Sequence, residues 1–154
     1  RYYIEAFLQR YRSDIKGRIL EFKDSYYTHK FGRNHVTKSD VLNLEDGIPG
    51  STIVADIARA SHIPSEIFDC IICTQTLQYI YDLRSAIHHL HRILKPGGIL
   101  LAAFPGISRI DKGWTDYWRF TSITAKRLFE DVFPTENITV ETHGNVLTSI
   151  AFLH

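Results

Sequence analysis

The feature that most constrains the fold is the block between Phe68 and Pro105, which contains three elements in a fixed order. Residues 68–74 are nearly all apolar, as in a strand that is covered on both faces. Residues 83–94 place leucine, isoleucine and alanine at helical spacing, and the helix is predicted to end before Pro96-Gly97-Gly98. A second apolar run, residues 99–104, follows. Strand, helix and strand in this order predict two parallel strands joined by a right-handed crossover.

The rest of the chain continues this alternation. Short alternating segments predict strands, and apolar residues at helical spacing predict helices. The other predicted strands are 18–22, 35–40, 51–56 and 137–143, and the other predicted helices are 3–11 and 124–132. With 154 residues, the chain can bury one sizeable core and is too short for two ordinary domains. We therefore predict one doubly wound α/β domain spanning residues 1–154, with a mostly parallel, Rossmann-like sheet of six strands.

Charge and composition narrow the classes of partner. The 18 lysines and arginines nearly balance the 17 aspartates and glutamates, so the net field favours neither nucleic acid nor an anionic membrane. No uncharged apolar run approaches the roughly 20 residues that cross a bilayer. Two cysteines cannot form a disulfide framework. We expect a cytoplasmic protein with a small-molecule or protein partner. We also expect truncation at both ends, at the amino end because the chain contains no methionine and at the carboxyl end because a strand signal described below is missing.

The central block resembles the fourth strand, following helix and fifth strand of the class I S-adenosylmethionine-dependent methyltransferases. Its sequence is FDCIICTQTLQYIYDLRSAIHHLHRILKPGGILLAAFPG, in which FD opens the strand and LKPGG closes the helix. The first three strands of the family are matched in order by ILEF, SDVLNL and IVADI. The resemblance implies that family's fold, S-adenosylmethionine as cofactor, and an unidentified small-molecule or saccharide acceptor.

Two further expectations follow from the same resemblance. A downstream segment, WTDYWRFTSITAKRLFEDVF, resembles bacterial methyltransferase type 11-like proteins that are often encoded beside glycosyltransferases in surface-polysaccharide clusters. The family also has a seventh, antiparallel strand next to the fifth. We find no strand signal for it after His143 and expect it to be absent.

The resemblance implies a cofactor site at the carboxyl ends of the strands, where open α/β sheets bind ligands. After the first strand the family has a glycine-rich loop, because glycine permits positive φ and close backbone approach. This chain has Lys23 and Ser25 at those places. Glu21, Phe22 and Asp24 are the candidates here, and Asp24 could face the cofactor's ammonium group. The missing glycines leave open whether the loop still binds cofactor.

Aspartates close the second and third predicted strands. By resemblance, Asp40, with Val41 beside it, would hold the ribose hydroxyls. Asp56 would accept the adenine amino hydrogen, and the backbone amide of Ile57 would meet the ring. Each aspartate by itself could equally be a helix cap or a solvated loop residue.

The remaining candidates follow the fourth and fifth strands. Thr74 and Gln75 leave the fourth strand where this fold meets the methyl-bearing end of the cofactor. Tyr79 is a candidate acceptor ligand or a core residue. Aromatic faces and a guanidinium can bind rings or anionic groups, and the downstream loop supplies them. Its candidates are Trp114, Tyr117, Trp118 and Arg119. The alternative for this loop is a packed lid without ligand contact.

The cysteines have a C-x-x-C spacing, which elsewhere indicates redox or metal chemistry. Here Cys70 and Cys73 lie within one predicted strand, where side chains three residues apart point to opposite faces. We therefore predict two separate core thiols and no metal site.

Three functions remain open at this stage. The first is methyl transfer by in-line displacement, for which no catalytic residue can be assigned. A base such as His29, Tyr79 or Asp116 matters only if the acceptor must lose a proton. The second is a non-catalytic domain of the same fold that serves as an interaction module. The third, an NAD(P)-dependent oxidoreductase, is disfavoured because no G-x-G-x-x-G follows the first strand.

Overall fold

The computed structural model describes residues 1–110, 112–143 and 146–152. Within these ranges lie seven strands and three α-helices. The strands are β1 (Gly17–Phe22), β2 (Val36–Asn43), β3 (Ile53–Val54), β4 (Phe68–Thr74), β5 (Leu94–Pro105), β6 (Ile138–His143) and β7 (Val146–Phe152). The helices are α1 (Tyr2–Arg10), α2 (Leu83–Ile93) and α3 (Ser122–Glu130). None of these helices is long and apolar enough to cross a bilayer.

All seven strands form one sheet in the order β3-β2-β1-β4-β5-β7-β6. The first five strands are mutually parallel, and β7 runs antiparallel to both β5 and β6. The predicted doubly wound, mostly parallel α/β fold is therefore confirmed.

The prediction that the seventh strand is absent was wrong. Residues 146–152 form β7, which lies between β5 and β6 and pairs with β5 from Ile99↔Phe152 to Pro105↔Val146. In the sequence this segment is a plain apolar stretch, and its strand character depends on a partner more than 40 residues earlier in the chain. Local patterning does not reveal such a pairing.

Two strand ends also differ from prediction, and the difference matters for the site. β2 continues to Asn43 rather than ending at residue 40, because its pairing with β1 extends to Phe22↔Leu42. β3 is only two residues long and pairs with the last part of β2.

The core has one layer on each face of the sheet. Helix α2 buries its predicted stripe, and together with α3 it covers one face, which includes Leu20 and Cys73. Helix α1 covers the other face, which includes Ile19 and Cys70. The two cysteines therefore belong to opposite layers, as predicted. Burial raises the pKa of the Cys73 thiol to about 12 and that of Cys70 still further, so both are inert core thiols at neutral pH.

Candidate functional site

The carboxyl ends of β1 and β4 meet at the centre of the sheet, where the strand order changes direction. In open α/β sheets a ligand crevice forms at this point. Each of the two strands is followed by a non-glycine residue with positive φ, Lys23 at 78° and Gln75 at 50°. Such conformations are disfavoured for residues with a Cβ and concentrate at functional sites. The first turn therefore keeps the backbone conformation that glycine favours, although lysine has replaced it.

Glu21 holds the loop that follows β1. It is only 2% exposed, and its carboxylate accepts hydrogen bonds from the Tyr27 amide at 3.1 Å, the Thr28 amide at 2.8 Å and the Thr28 hydroxyl at 2.7 Å. Burial raises the pKa of Glu21 to about 7, against the opposing effect of these donors. Both carboxylate oxygens hold the loop, and a direct contact of Glu21 with the cofactor stays a prediction. The neighbouring Phe22 packs against the core.

Lys23 and Asp24 present charges at this turn. The Lys23 amide donates to the Leu42 carbonyl at 3.0 Å, and its own carbonyl accepts from Asn43 Nδ2 at 3.2 Å. Asp24 is exposed and accepts one hydrogen bond, from the Tyr26 amide at 2.9 Å. Sequence reasoning missed Asn43, a buried amide that fixes the turn from the end of β2. A polar residue directly after the apolar pair Val41-Leu42 was the available signal.

Asp40 lies away from the carboxyl edge, three residues before the end of β2. Its side chain is buried, with Arg18 Nε at 2.8 Å from one oxygen and Thr52 Oγ1 at 2.9 Å from the other. The ribose contact stays a prediction, and it would have to share these oxygens with Arg18 and Thr52. Val41 is buried beside it, and its amide donates to Thr52 Oγ1.

The acids that follow the observed end of β2 are Glu45 and Asp46, both exposed. Asp46 accepts a hydrogen bond from the Gly47 amide at 2.8 Å. The sequence prediction ended β2 at residue 40 and therefore named Asp40 rather than this pair. The sequence signal for this pair was present, but its meaning depended on where β2 ends.

Asp56 follows β3 at the same edge and caps a single turn of 3₁₀ helix. Its Oδ1 accepts from the Ala58 amide at 3.0 Å, and the residue is exposed. The cap interpretation is therefore observed, and it occupies one carboxylate oxygen. Ile57 is buried in the core with 2% exposure.

The turn after β4 is joined to the downstream aromatic loop through Gln78. Its side chain donates to Gln75 Oε1 at 3.1 Å, and its carbonyl accepts from the Tyr117 amide at 2.8 Å and the Trp118 amide at 3.3 Å. Gln78 is 2% exposed, and its own Oε1 has no hydrogen-bond partner within the described ranges. Sequence reasoning missed this residue. A glutamine between Leu77 and Ile80 was the available signal.

Thr74 ends β4 in a half-buried position, and its carbonyl accepts a hydrogen bond from Thr76 Oγ1 at 2.9 Å. Thr74 and Gln75 therefore lie at the crevice, on the strand next to the Lys23 turn.

Aromatic rings line the side of the crevice formed by the downstream loop. Tyr79 pairs with Trp114 at 5.5 Å between ring centroids, and Tyr81 contacts Tyr117 at 5.2 Å and Trp118 at 5.8 Å. The Trp118 indole donates to the Ile80 carbonyl at 2.9 Å and packs on the core, whereas Trp114 and Tyr117 are 62% and 48% exposed. The loop therefore combines a packed anchor with open ring faces.

Arg119 organises this loop internally. Its guanidinium forms a bidentate pair with Asp116 at 2.6 and 2.7 Å, and also donates to the carbonyls of Trp118 and Arg109. These contacts use the guanidinium to hold the loop, and the role of Arg119 as an acceptor ligand stays a prediction.

Several polar groups near the carboxyl ends of the strands are not fully used in hydrogen bonds within the described ranges. Asp24 and Asp56 each have a carboxylate oxygen beyond their one described hydrogen bond. The turns at Lys23 and Gln75 have positive φ, and the buried amide oxygen of Gln78 has no described partner. A buried acceptor without a partner is costly unless another group supplies a donor.

Solved structures similar to this one are methyltransferases in several cases. DhpI in complex with SAH superposes with a TM-score of 0.72 and 14% identity, covering 97% of this chain and 83% of that chain. An S-adenosylmethionine-dependent methyltransferase from Mesorhizobium loti gives 0.68 and 16%, covering 98% and 96%. One from Archaeoglobus fulgidus gives 0.71 and 10%, covering 98% and 93%. At these identities the likeness shows a common fold.

No curated protein sequence matches the chain. The family model described as "Methyltransferase domain" matches residues 7–102, which is more than half of the chain and includes β1 to β4, α2 and most of β5. S-adenosylmethionine, the cofactor predicted from the sequence, is the cofactor of this family. The chain therefore belongs to the methyltransferase-domain family, among the class I S-adenosylmethionine-dependent methyltransferases.

Proposed function

We propose that the protein transfers a methyl group from S-adenosylmethionine to a small-molecule or saccharide acceptor. The observation that carries this proposal is the pair of positive-φ turns, at Lys23 and Gln75, where β1 and β4 meet. Two side-by-side turns in a disfavoured conformation lie at the place where this fold binds ligands.

In this proposal the chain's own residues bind the cofactor by its polar groups. Asp24 accepts from the ammonium group, Asp56 from the adenine amino group, and the Ile57 amide meets the ring. Glu45 or Asp46 takes the role at the ribose that was first expected of Asp40. Thr74 and Gln75 lie at the methyl-bearing end. When bound, the cofactor supplies a methyl group on a positively charged sulfur, which the acceptor's nucleophile displaces in line.

The aromatic loop is the proposed acceptor surface. Trp114 and Tyr117 keep open ring faces, and Tyr79, which follows the turn after β4, contacts the Trp114 ring. Ring faces of this kind bind sugars and other rings through apolar contact. The main contribution of the chain would be orientation, because in-line displacement depends on holding nucleophile and methyl carbon close and aligned. A base is needed only for an acceptor that must lose a proton, and Tyr79 or His29 could serve.

Calorimetric titration of the protein with S-adenosylhomocysteine tests the proposal. We expect saturable binding with a dissociation constant in the micromolar range, as is common for small-molecule sites. No heat at millimolar ligand would contradict the proposal and favour the interaction-module interpretation. Binding of a nicotinamide dinucleotide in place of the nucleoside would favour the oxidoreductase interpretation instead.

The cellular setting is part of the same proposal. Two buried, unpaired thiols support a reducing compartment such as the bacterial cytoplasm. The resemblance of the downstream segment to proteins encoded in surface-polysaccharide clusters supports a saccharide among the possible acceptors. Testing sugar nucleotides and free glycosides for methyl transfer from labelled S-adenosylmethionine would identify the acceptor class.

A further inference from the structure

Lys23 occupies a backbone conformation that works against a lysine. Its φ of 78° lies in the left-handed region, where glycine is free of strain and a residue with a Cβ is not. The rest of the turn enforces this conformation, because Leu42 and Asn43 hold the Lys23 amide and carbonyl from the neighbouring strand. A glycine would satisfy the same two hydrogen bonds without strain. The side chain therefore needs a reason to be there.

The Lys23 ammonium differs from the other lysines in its place rather than in lacking a partner, because Lys16 and Lys38 also make no ion pair within the described ranges. Lys30 pairs with Glu5 at 2.9 Å and Lys95 with Asp69 at 3.2 Å. Lys23 is exposed, and its Nζ has no hydrogen bond or ion pair in the part of the chain that the structure describes. It is a cation without a protein partner at the carboxyl edge of the central strand.

The next residue carries the opposite charge. Asp24 is exposed and keeps one carboxylate oxygen beyond its hydrogen bond with the Tyr26 amide. A cation and an anion on adjacent residues of one rigid turn match a zwitterion, which carries both charges on one carbon. The amino-acid part of S-adenosylmethionine is such a group.

We propose that Lys23 binds the carboxylate of the cofactor's amino-acid part, while Asp24 binds its ammonium group. This inference rests on the proposed function. On this view Lys23 adds a charge-assisted contact at a turn whose backbone conformation suits glycine, and the strain is retained because the contact improves binding. The departure from the glycine pattern is then a different way of binding the same ligand.

The test compares S-adenosylmethionine with its decarboxylated form, which keeps the ammonium group and lacks only the carboxylate. Affinities are measured by calorimetry for the wild-type chain and for Lys23→Gly and Lys23→Met. We expect both variants to bind S-adenosylmethionine roughly tenfold more weakly, as for loss of one charged hydrogen bond, and to bind the decarboxylated form within twofold of wild type. Lys23→Gly removes the charge and also frees the backbone, whereas Lys23→Met removes the charge and keeps the strained backbone. Comparing the two variants therefore separates the effect of the charge from that of loop flexibility.

Thermal unfolding provides a second test, because Lys23→Gly should stabilise the unliganded protein although it weakens cofactor binding. Lys23→Gly should raise the melting temperature of the unliganded protein, because it relieves the strained φ, whereas Lys23→Met should leave it unchanged. Arg33→Gly is the matched control. Arg33 is also an exposed cation with positive φ, 49°, but it precedes β2 at the opposite edge of the sheet. It should raise the melting temperature without changing either affinity.

Two outcomes overturn the inference separately. If the wild-type chain binds S-adenosylmethionine and Lys23→Gly binds it equally well or better, the lysine is only tolerated and this inference fails while the proposed function stands. If the wild-type chain has no measurable affinity for S-adenosylmethionine, its decarboxylated form or 5′-methylthioadenosine, the proposed function fails and this inference fails with it.

Discussion

Asp56 is a residue at which a cap and a ligand contact require different atoms. Its Oδ1 already accepts from the Ala58 amide, so the proposed contact with adenine must use the other oxygen. Asparagine is as good a cap as aspartate, but it offers an NH₂ group where that second oxygen was. The two interpretations that the sequence left open can therefore be separated by one substitution.

For Asp56→Asn we expect the free energy of unfolding to stay within about 0.5 kcal/mol of wild type, because the cap is kept. Affinity for S-adenosylhomocysteine should fall roughly tenfold, because a donor would oppose the adenine amino group. Chemical denaturation and calorimetry measure the two quantities. Asp56→Ala is the companion variant and should lose about 1 kcal/mol of stability as well. Unchanged affinity in both variants would leave the cap as the whole role of Asp56.

Glu21 makes a prediction about pH. Its pKa is raised from the ordinary 4.5 to about 7 by burial, so between these values the folded protein holds a proton that the unfolded chain has released. The stability that this group contributes is complete below pH 4.5 and is lost as pH rises through about 7. Relative to Glu21→Gln, which cannot ionise, the unfolding free energy of wild type should fall by on the order of 3 kcal/mol over this range.

The measurement is urea unfolding of both proteins at pH 4.5, 5.5, 6.5 and 7.5. Taking the difference between the two proteins removes the contributions of all other titrating groups. A difference that does not change with pH would show that the three donors from Tyr27 and Thr28 fully offset the burial of the carboxylate.

At the scale of structural elements, the aromatic loop after β5 depends on several hydrogen bonds from one guanidinium group. Arg119 joins Asp116 and the carbonyls of Arg109 and Trp118 at once, which requires the planar, multidentate guanidinium. A lysine at this position keeps the charge but cannot make these bonds together. Unlike strand β5 before it and helix α3 after it, the loop has no regular backbone hydrogen-bond pattern to hold it.

We expect Arg119→Lys to increase chymotryptic cleavage at Trp114 and Tyr117 several-fold, because local opening of the loop becomes easier. Affinity for S-adenosylhomocysteine should remain within twofold of wild type, since the proposed cofactor contacts lie on the turns after β1 to β4. Arg127→Lys on α3 is the control, because that side chain is highly exposed and its only described ion pair is long. Equal cleavage in both variants would mean that the rings alone hold the loop.

At the scale of the whole molecule, β7 connects the edge strand β6 to the five parallel strands of the sheet. It pairs with β5 on one side and β6 on the other, so β6 reaches the parallel strands only through β7. Parallel strands β1 to β5 could have formed a sheet without it, but β5 would then be an exposed edge carrying apolar side chains.

A chain that ends at His143 should therefore lose cooperative thermal unfolding and form aggregates, because β6 is left without a partner and the edge of β5 is open. Circular dichroism melting and size-exclusion chromatography report these two effects. A chain that ends at Phe152 keeps β7 and should melt as the full chain does. A cooperative transition in the shorter chain would mean that the central five strands fold without this strand.

Short-range patterns determined much of this protein from the sequence alone. The buried run of β4, the stripe of α2 and the opposite faces of Cys70 and Cys73 follow from the period of a strand or helix, which neighbouring residues set. The tertiary structure decided the rest, because distant segments set it. Asp40 is paired with Arg18 and Thr52, β7 exists through its pairing with β5, and Lys23 is held in a glycine conformation by Leu42 and Asn43.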